Sequence, residues 1–121
     1  MIGKIASVSI YVEDQDKAVE FWTTQAGFVV RKDMPMGPSM RWIEVSPPNA
    51  GETVLVLYPK QAMPNAGELK PSMVFECSDI QGTYAEMKSN GVSFEGEPAK
   101  MGFGTFATFF DESGNRFGLR G

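Results

Sequence analysis

The sequence predicts an α+β fold: two tandem β-α-β-β-β modules forming a curved mixed sheet, an incomplete barrel, around a cleft, with the helices outside. Three observations predict it. The chain has 121 residues, 42% hydrophobic and 21% charged, which suits one soluble domain. Its helix signals recur in register: Ser7 precedes Asp14 by seven residues, as Ser72 precedes Asp79, and Asp14 to Gly27 spans thirteen where Asp79 to Gly91 spans twelve. Three stretches of strand character follow each of those helices. The modules occupy about residues 1–58 and 72–121 of a single domain, with 59–71 as a linker. Neither half buries enough surface to stand alone, so the two are expected to bury their helix-covered faces together and to curve the uncovered faces into a shared cleft.

Alternation over Ile5 to Val12 predicts the first strand, with Val8, Ile10 and Val12 on one face and Ser7, Ser9 and Tyr11 on the other. Asp14 is an N-cap, and Asp16 and Glu20 suit the start of the helix dipole. Ala18, Val19, Trp22 and Ala26 form its buried stripe, and Gly27 ends it at C′. Phe28-Val29-Val30 opens a strand, Gly37-Pro38 marks a loop, Met40 to Val45 is the third strand, and Pro47 to Gly51 turns the chain into Thr53 to Tyr58. Pro59 to Pro71 holds three prolines and Gly67 with little periodicity. Ser72 to Cys77 restarts the pattern. Ser78-Asp79 caps a helix carrying Ile80, Tyr84 and Met87, and Asn90-Gly91 ends it. Val92 to Phe94, Thr105 to Phe110 and Arg116 to Leu119 are strands, the last two joined by the turn Asp111 to Asn115.

Composition excludes several functions. Eleven Lys+Arg against fifteen Asp+Glu give a net charge of −4, and the pI is about 4.8. Such a surface repels phosphate backbones, so nucleic acid is not an expected partner. No apolar run is long enough to span a bilayer, and the start of the chain lacks a signal-peptide pattern, so a cytoplasmic location is expected. The single Cys77 has no internal disulfide partner. It alternates away from Glu76 and reads as an inert thiol under the helix. With no histidine, no Ser-His-Asp or Cys-His pair can form. Any metal site would rest on carboxylates and carbonyls, the ligands of hard cations.

Tyr11-Val12-Glu13-Asp14, Ala18-Val19-Glu20-Phe21-Trp22, Gly27-Phe28, Arg41 to Val45, Val74 to Cys77, Asn90-Gly91-Val92 and Phe110 to Phe117 carry a resemblance in their order and spacing. Together they resemble the vicinal oxygen chelate superfamily, which includes glyoxalase I, bleomycin-resistance proteins and extradiol dioxygenases. Enzymes of that superfamily place His or Glu metal ligands on four strands. The resemblance puts those slots at Ser7, Val56, Ser72 and Gly118, where valine and glycine offer no donor and serine hydroxyls are poor ones. It therefore implies the fold and a homodimer, without the catalytic metal.

If the four slots face the cleft, alternation assigns their neighbours. The expected ligand-binding cleft comprises Ser7, Ser9, Tyr11, Trp42, Glu44, Val56, Tyr58, Ser72, Glu76, Phe106, Gly118 and Arg120. Ile43, Val45, Ala107 and Phe109 go under the helices, leaving Thr108 and Phe110 open. Trp42, Tyr58 and Phe106 could stack on a flat small molecule, and Glu44 and Glu76 would favour a cationic group on it. The plainer reading makes these aromatics barrel filling or dimer interface. Met34, Met36, Met40, Met63 and Met101 fall in or beside predicted loops, and Met101-Gly102-Phe103-Gly104 has glycine hinges suited to a lid or to covering a sheet edge. Glu44 and Glu76 read as an acid/base pair only if burial sets them apart. The expected function is metal-free binding of a small organic molecule, with no cofactor and no catalytic residue. The alternative is a metal-dependent lyase, isomerase or dioxygenase of the glyoxalase type.

Overall fold

The computed structural model describes residues 1–102 and 104–121. The chain divides into two compact units, Met1–Lys70 and Pro71–Gly121. In the first unit β1 (Ser7–Val12) leads into α1 (Gln15–Glu20), then β2 (Val29–Pro35), β3 (Arg41–Ser46) and β4 (Val54–Pro59) follow. Its sheet has the order β1-β4-β3-β2, with β1 parallel to β4 and the other pairs antiparallel. The Asp14 carboxylate accepts the Lys17 N–H at 3.1 Å and caps α1. Ile10, Val12, Ile43, Val45 and Leu57 are wholly buried together with Ala18 and Trp22 of the helix, which marks the face under α1.

The helix stripe reads from sequence as one continuous α-helix to Gly27, but α1 ends at Glu20 and a π-helical turn covers Phe21–Gln25. The Ala26 N–H bonds to the Phe21 carbonyl at 3.0 Å. Where the turn widens, the Thr23 hydroxyl donates to the Val19 carbonyl at 2.6 Å and competes with the backbone ladder. Trp22 is thereby packed 5.3 Å from Phe21 and 4.9 Å from Phe28, ring centre to ring centre. Gly27, at φ 78°, ends the segment as expected.

β2 is an edge strand, exposed from Val30 onward, with a bulge at Arg31 between the pairs Val30–Val45 and Lys32–Glu44. The bulged Arg31 donates to Ser46 Oγ at 2.7 Å and to the carbonyls of Pro47 and Pro48 at 3.1 and 2.8 Å, pinning the β3–β4 loop. The stretch expected as a bare linker holds two short 3₁₀ turns, Lys60–Ala62 and Ala66–Glu68.

The second unit repeats the topology. β5 (Val74–Glu76), α2 (Ile80–Ser89), β6 (Ser93–Phe94), β7 (Ala99–Met101), β8 (Gly104–Phe110) and β9 (Arg116–Arg120) give the order β5-β9-β8-β6, with β7 also on β8. β6 and β7 share the place that β2 holds in the first unit, separated by a turn at Gly96. Asp79 caps α2 by accepting from Gly82 N at 3.0 Å. Ile80 and Met87 of α2 are buried, as are Phe109, Phe117 and Leu119 of the strands, and Phe75 lies 6.0 and 5.8 Å from Phe109 and Phe117. The Asp111–Asn115 turn forms around Asp111, whose Oδ1 accepts from Ser113 N and Asn115 N.

The α+β class and the tandem β-α-β-β-β order therefore stand, with the strands in two mixed sheets. Met34 and Met101 sit in strands rather than loops. Phe103, the aromatic between the glycine hinges, lies outside the described residues.

Candidate functional site

Ladder partners present their side chains on one face. In the first unit Ser7 pairs with Val54, Ser9 with Val56 and Tyr11 with Tyr58, while Glu44 pairs with Val56 and Trp42 with Met34. Ser9, Val56 and Glu44 therefore form one row across the face opposite α1, and Tyr11, Tyr58 and Trp42 form the next. Within that second row the rings meet edge to face. Tyr11 and Tyr58 lie 6.2 Å apart at 75°, and Tyr58 and Trp42 lie 6.3 Å apart at 85°. Trp42 Nε1–H donates to Glu44 Oε2 at 2.8 Å, which fixes the indole. Tyr11, Trp42, Glu44 and Tyr58 are half-buried, Ser7 is exposed and Val56 is fully buried. Val56 is thus floor beneath the face rather than open wall.

Gln15, the first residue of α1, holds this corner from the other side. Its amide donates to the carbonyls of Arg41 and Leu57 at 2.6 and 2.8 Å and accepts from Arg41 N at 3.1 Å. Those backbone groups adjoin Trp42 and Tyr58. Sequence reasoning passed over Gln15, because bonds across 26 and 42 residues leave no periodic signal. It also passed over a hollow of about 420 Å³ lined by Glu13, Asp14, Gln15, Ser39, Met40, Pro59 and Gln61. Nearby, Arg41 donates to Asp16 at 2.7 Å and Asp33 at 3.0 Å. The bond to Asp16 and then that to Asp33 raise its pKa, so the guanidinium is firmly charged.

In the second unit Val74 pairs with Gly118 and Gly118 with Thr108, and Glu76 pairs with Arg120 and Arg120 with Phe106. These residues share the face opposite Ala107, Phe109 and Leu119. Arg120 Nη2 bonds Glu76 Oε1 at 2.5 Å. Glu76 is therefore not the free carboxylate the sequence reading used to attract a cation: Arg120, directly across the parallel ladder, matches its charge. Ser72 is exposed, ahead of the short β5. Cys77 is half-buried with Sγ 3.5 Å from the Arg120 carbonyl, less enclosed than expected. Glu44 and Glu76 do not stand as a bare acid/base pair, since one holds an indole and the other an arginine.

Each unit holds two of the four positions the resemblance assigns to metal ligands: Ser7 and Val56 in the first, Ser72 and Gly118 in the second. Val56 has no donor and is fully buried, Gly118 has no side chain, and Ser7 and Ser72 offer two exposed hydroxyls. Among the described residues no group of three or more Asp, Glu, Cys or His could hold a metal. No described helix is long and apolar enough to cross a membrane.

Comparison with known proteins fits this architecture. The chain is 54% identical to the uncharacterized protein YetH of Bacillus subtilis (strain 168) over 120 residues, 99% of each chain. TnmS3, an antibiotic binding protein from Streptomyces sp. CB03234, is similar in structure with a TM-score of 0.85 and 32% identity, over 98% of this chain and 95% of that one. A glyoxalase/bleomycin resistance protein/dioxygenase superfamily member from Sphaerobacter thermophilus DSM 20745 gives a TM-score of 0.87 at 30% identity, over 98% and 97%. The family model that matches residues 4–119 is described as Glyoxalase/Bleomycin resistance protein/Dioxygenase superfamily. With its two β-α-β-β-β units and that match along almost its whole length, the chain belongs to the glyoxalase/bleomycin resistance protein/dioxygenase superfamily.

Proposed function

We propose that this protein binds a small organic molecule on the helix-free faces of its sheets, without a metal, and so sequesters a cationic or aromatic compound. The observation that carries the reading is the half-buried row Tyr11–Tyr58–Trp42, whose rings meet edge to face and expose a polarizable surface. Ser7, Ser9 and Glu44 frame it in the first unit. Val56 lies in the first sheet beside Ser9 and Glu44, and Ser72, Glu76, Phe106, Gly118 and Arg120 supply the corresponding face of the second unit. Similarity to a protein named for antibiotic binding supports the same class of function.

A thermal-shift screen of aromatic and cationic compounds supplies the probes, since a ligand that binds only the folded state raises Tm. Trp22 is fully buried, so ligand quenching of tryptophan fluorescence reports on Trp42. Trp42→Ala is expected to abolish that quenching and weaken the hits at least about tenfold, the loss typical of a truncated aromatic anchor. Unchanged affinity removes this face from the site. Dialysis against EDTA is expected to leave Tm and ligand affinity unchanged. Stoichiometric transition metal in protein purified without chelator overturns the metal-free reading and favours a glyoxalase-type lyase or dioxygenase. A cytoplasmic homodimer is part of the proposal, and light scattering on the eluting peak tests the dimer.

A further inference from the structure

From the first unit's face we infer a specific ligand chemistry, resting on the binding reading above: Tyr11, Tyr58, Trp42 and Glu44 form a cage for a quaternary or methylated ammonium group. Three features carry it. First, two successive ring pairs stand close to perpendicular, at 75° and 85°, with centroids 6.2 and 6.3 Å apart. Perpendicular rings make a corner rather than a stacking slot. A compact, round cation meets more than one ring in such a corner, whereas a flat molecule lies on only one.

Second, the indole N–H is already bonded to a carboxylate, 2.8 Å from Glu44 Oε2. That bond turns the positive edge of the indole away from a ligand and polarises the ring, making its π face a better partner for positive charge. It also places a formal negative charge beside the rings, and a carboxylate can bond only through oxygen lone pairs, so Glu44 selects a cation over an anion.

Third, the charge of Glu44 is not cancelled across the ladder. Lys32 is its partner in register, but Lys32 is exposed and no ion pair joins the two, in contrast to Glu76 with Arg120 on the other sheet. The two faces therefore differ: among the described residues one carries a carboxylate bonded to an indole, the other a closed ion pair. Half-burial of Tyr11, Trp42 and Tyr58 leaves the corner partly desolvated, the condition under which a cation–π contact strengthens. A quaternary ammonium is the best match because it is weakly hydrated and has no N–H to satisfy.

The test uses choline and its neutral isostere 3,3-dimethylbutan-1-ol, titrated into the intact protein and followed by the Trp42 indole N–H resonance. The two indole signals are assigned by the one that disappears in Trp42→Phe. Choline is expected to shift that signal and to bind about tenfold more tightly than the isostere, the discrimination a partly desolvated cation–π site gives. Glu44→Gln keeps an acceptor for the indole and removes the charge, and is expected to erase most of that preference, bringing choline's affinity close to the isostere's in the same variant. Equal binding of the two compounds overturns the cage while leaving a small-molecule face intact. A preference for choline that survives Glu44→Gln overturns the role of the carboxylate. No shift with either compound also overturns the cage, and the screen hits above then decide separately whether the face binds anything.

Discussion

One side-chain amide, that of Gln15, ties helix α1 to two strands through three bonds of 2.6 to 3.1 Å. Replacing it by leucine leaves the Arg41 and Leu57 backbone groups without those partners, and urea unfolding is expected to show a loss of about 1–3 kcal/mol. The same change loosens the backbone beside Trp42 and Tyr58, so ligand affinity falls along with stability. Two glycines are needed for different reasons. Gly27 sits at φ 78° with open space where a Cβ would go, so Gly27→Ala carries only a backbone cost of about 1–2 kcal/mol. At Gly118 the conformation is ordinary, but a Cβ would meet Val74 Cγ2 at 3.0 Å. Val74 is 59% exposed and free to turn aside. Gly118→Ala is therefore expected to leave Tm nearly unchanged and to weaken binding of any ligand seated on the second face.

Among elements, those written in local chemistry were legible in the sequence. Asp14 and Asp79 cap their helices, Gly27 and Gly91 take positive φ, and Asp111 organises its turn. Asp14→Ala and Asp79→Ala are each expected to cost about 1 kcal/mol, read from thermal or urea melts. Two elements and the extent of a third, β2, were not legible. Five residues of π-helix cannot be told from α by periodicity, because Ala18 and Trp22 fall on the buried side either way. β7, Ala99–Met101, is exposed throughout and carries no alternation. β2 runs through Arg31, Lys32 and Asp33 because an edge strand open to water accepts charge on both sides. The facing of Trp42, Glu44 and Tyr58 follows alternation because the bulge that would invert a face falls in β2 and not in β1, β3 or β4, and that of Thr108 and Arg120 because β8 and β9 pair without a register shift. The indole–carboxylate bond and the Arg120–Glu76 pair could not be read, because register across strands is set by turns and packing rather than by either strand alone.

For the molecule as a whole, a net charge of −4 and the excess of acidic groups predict that it flows through a heparin column at low salt; retention there would mean a basic patch that the sequence does not display. One feature governs its behaviour in concentrated solution. The outer margin of the first sheet, β2, is seven residues long, ample to recruit another chain's backbone. Its bulge twists the amide row, Arg31 is drawn back over Ser46 and the Pro47–Pro48 carbonyls, and Pro35 closes the strand. That margin is disarmed as a seed for cross-β growth, and straightening it by deleting Arg31 is expected to make the protein nucleate fibrils, read by thioflavin T fluorescence.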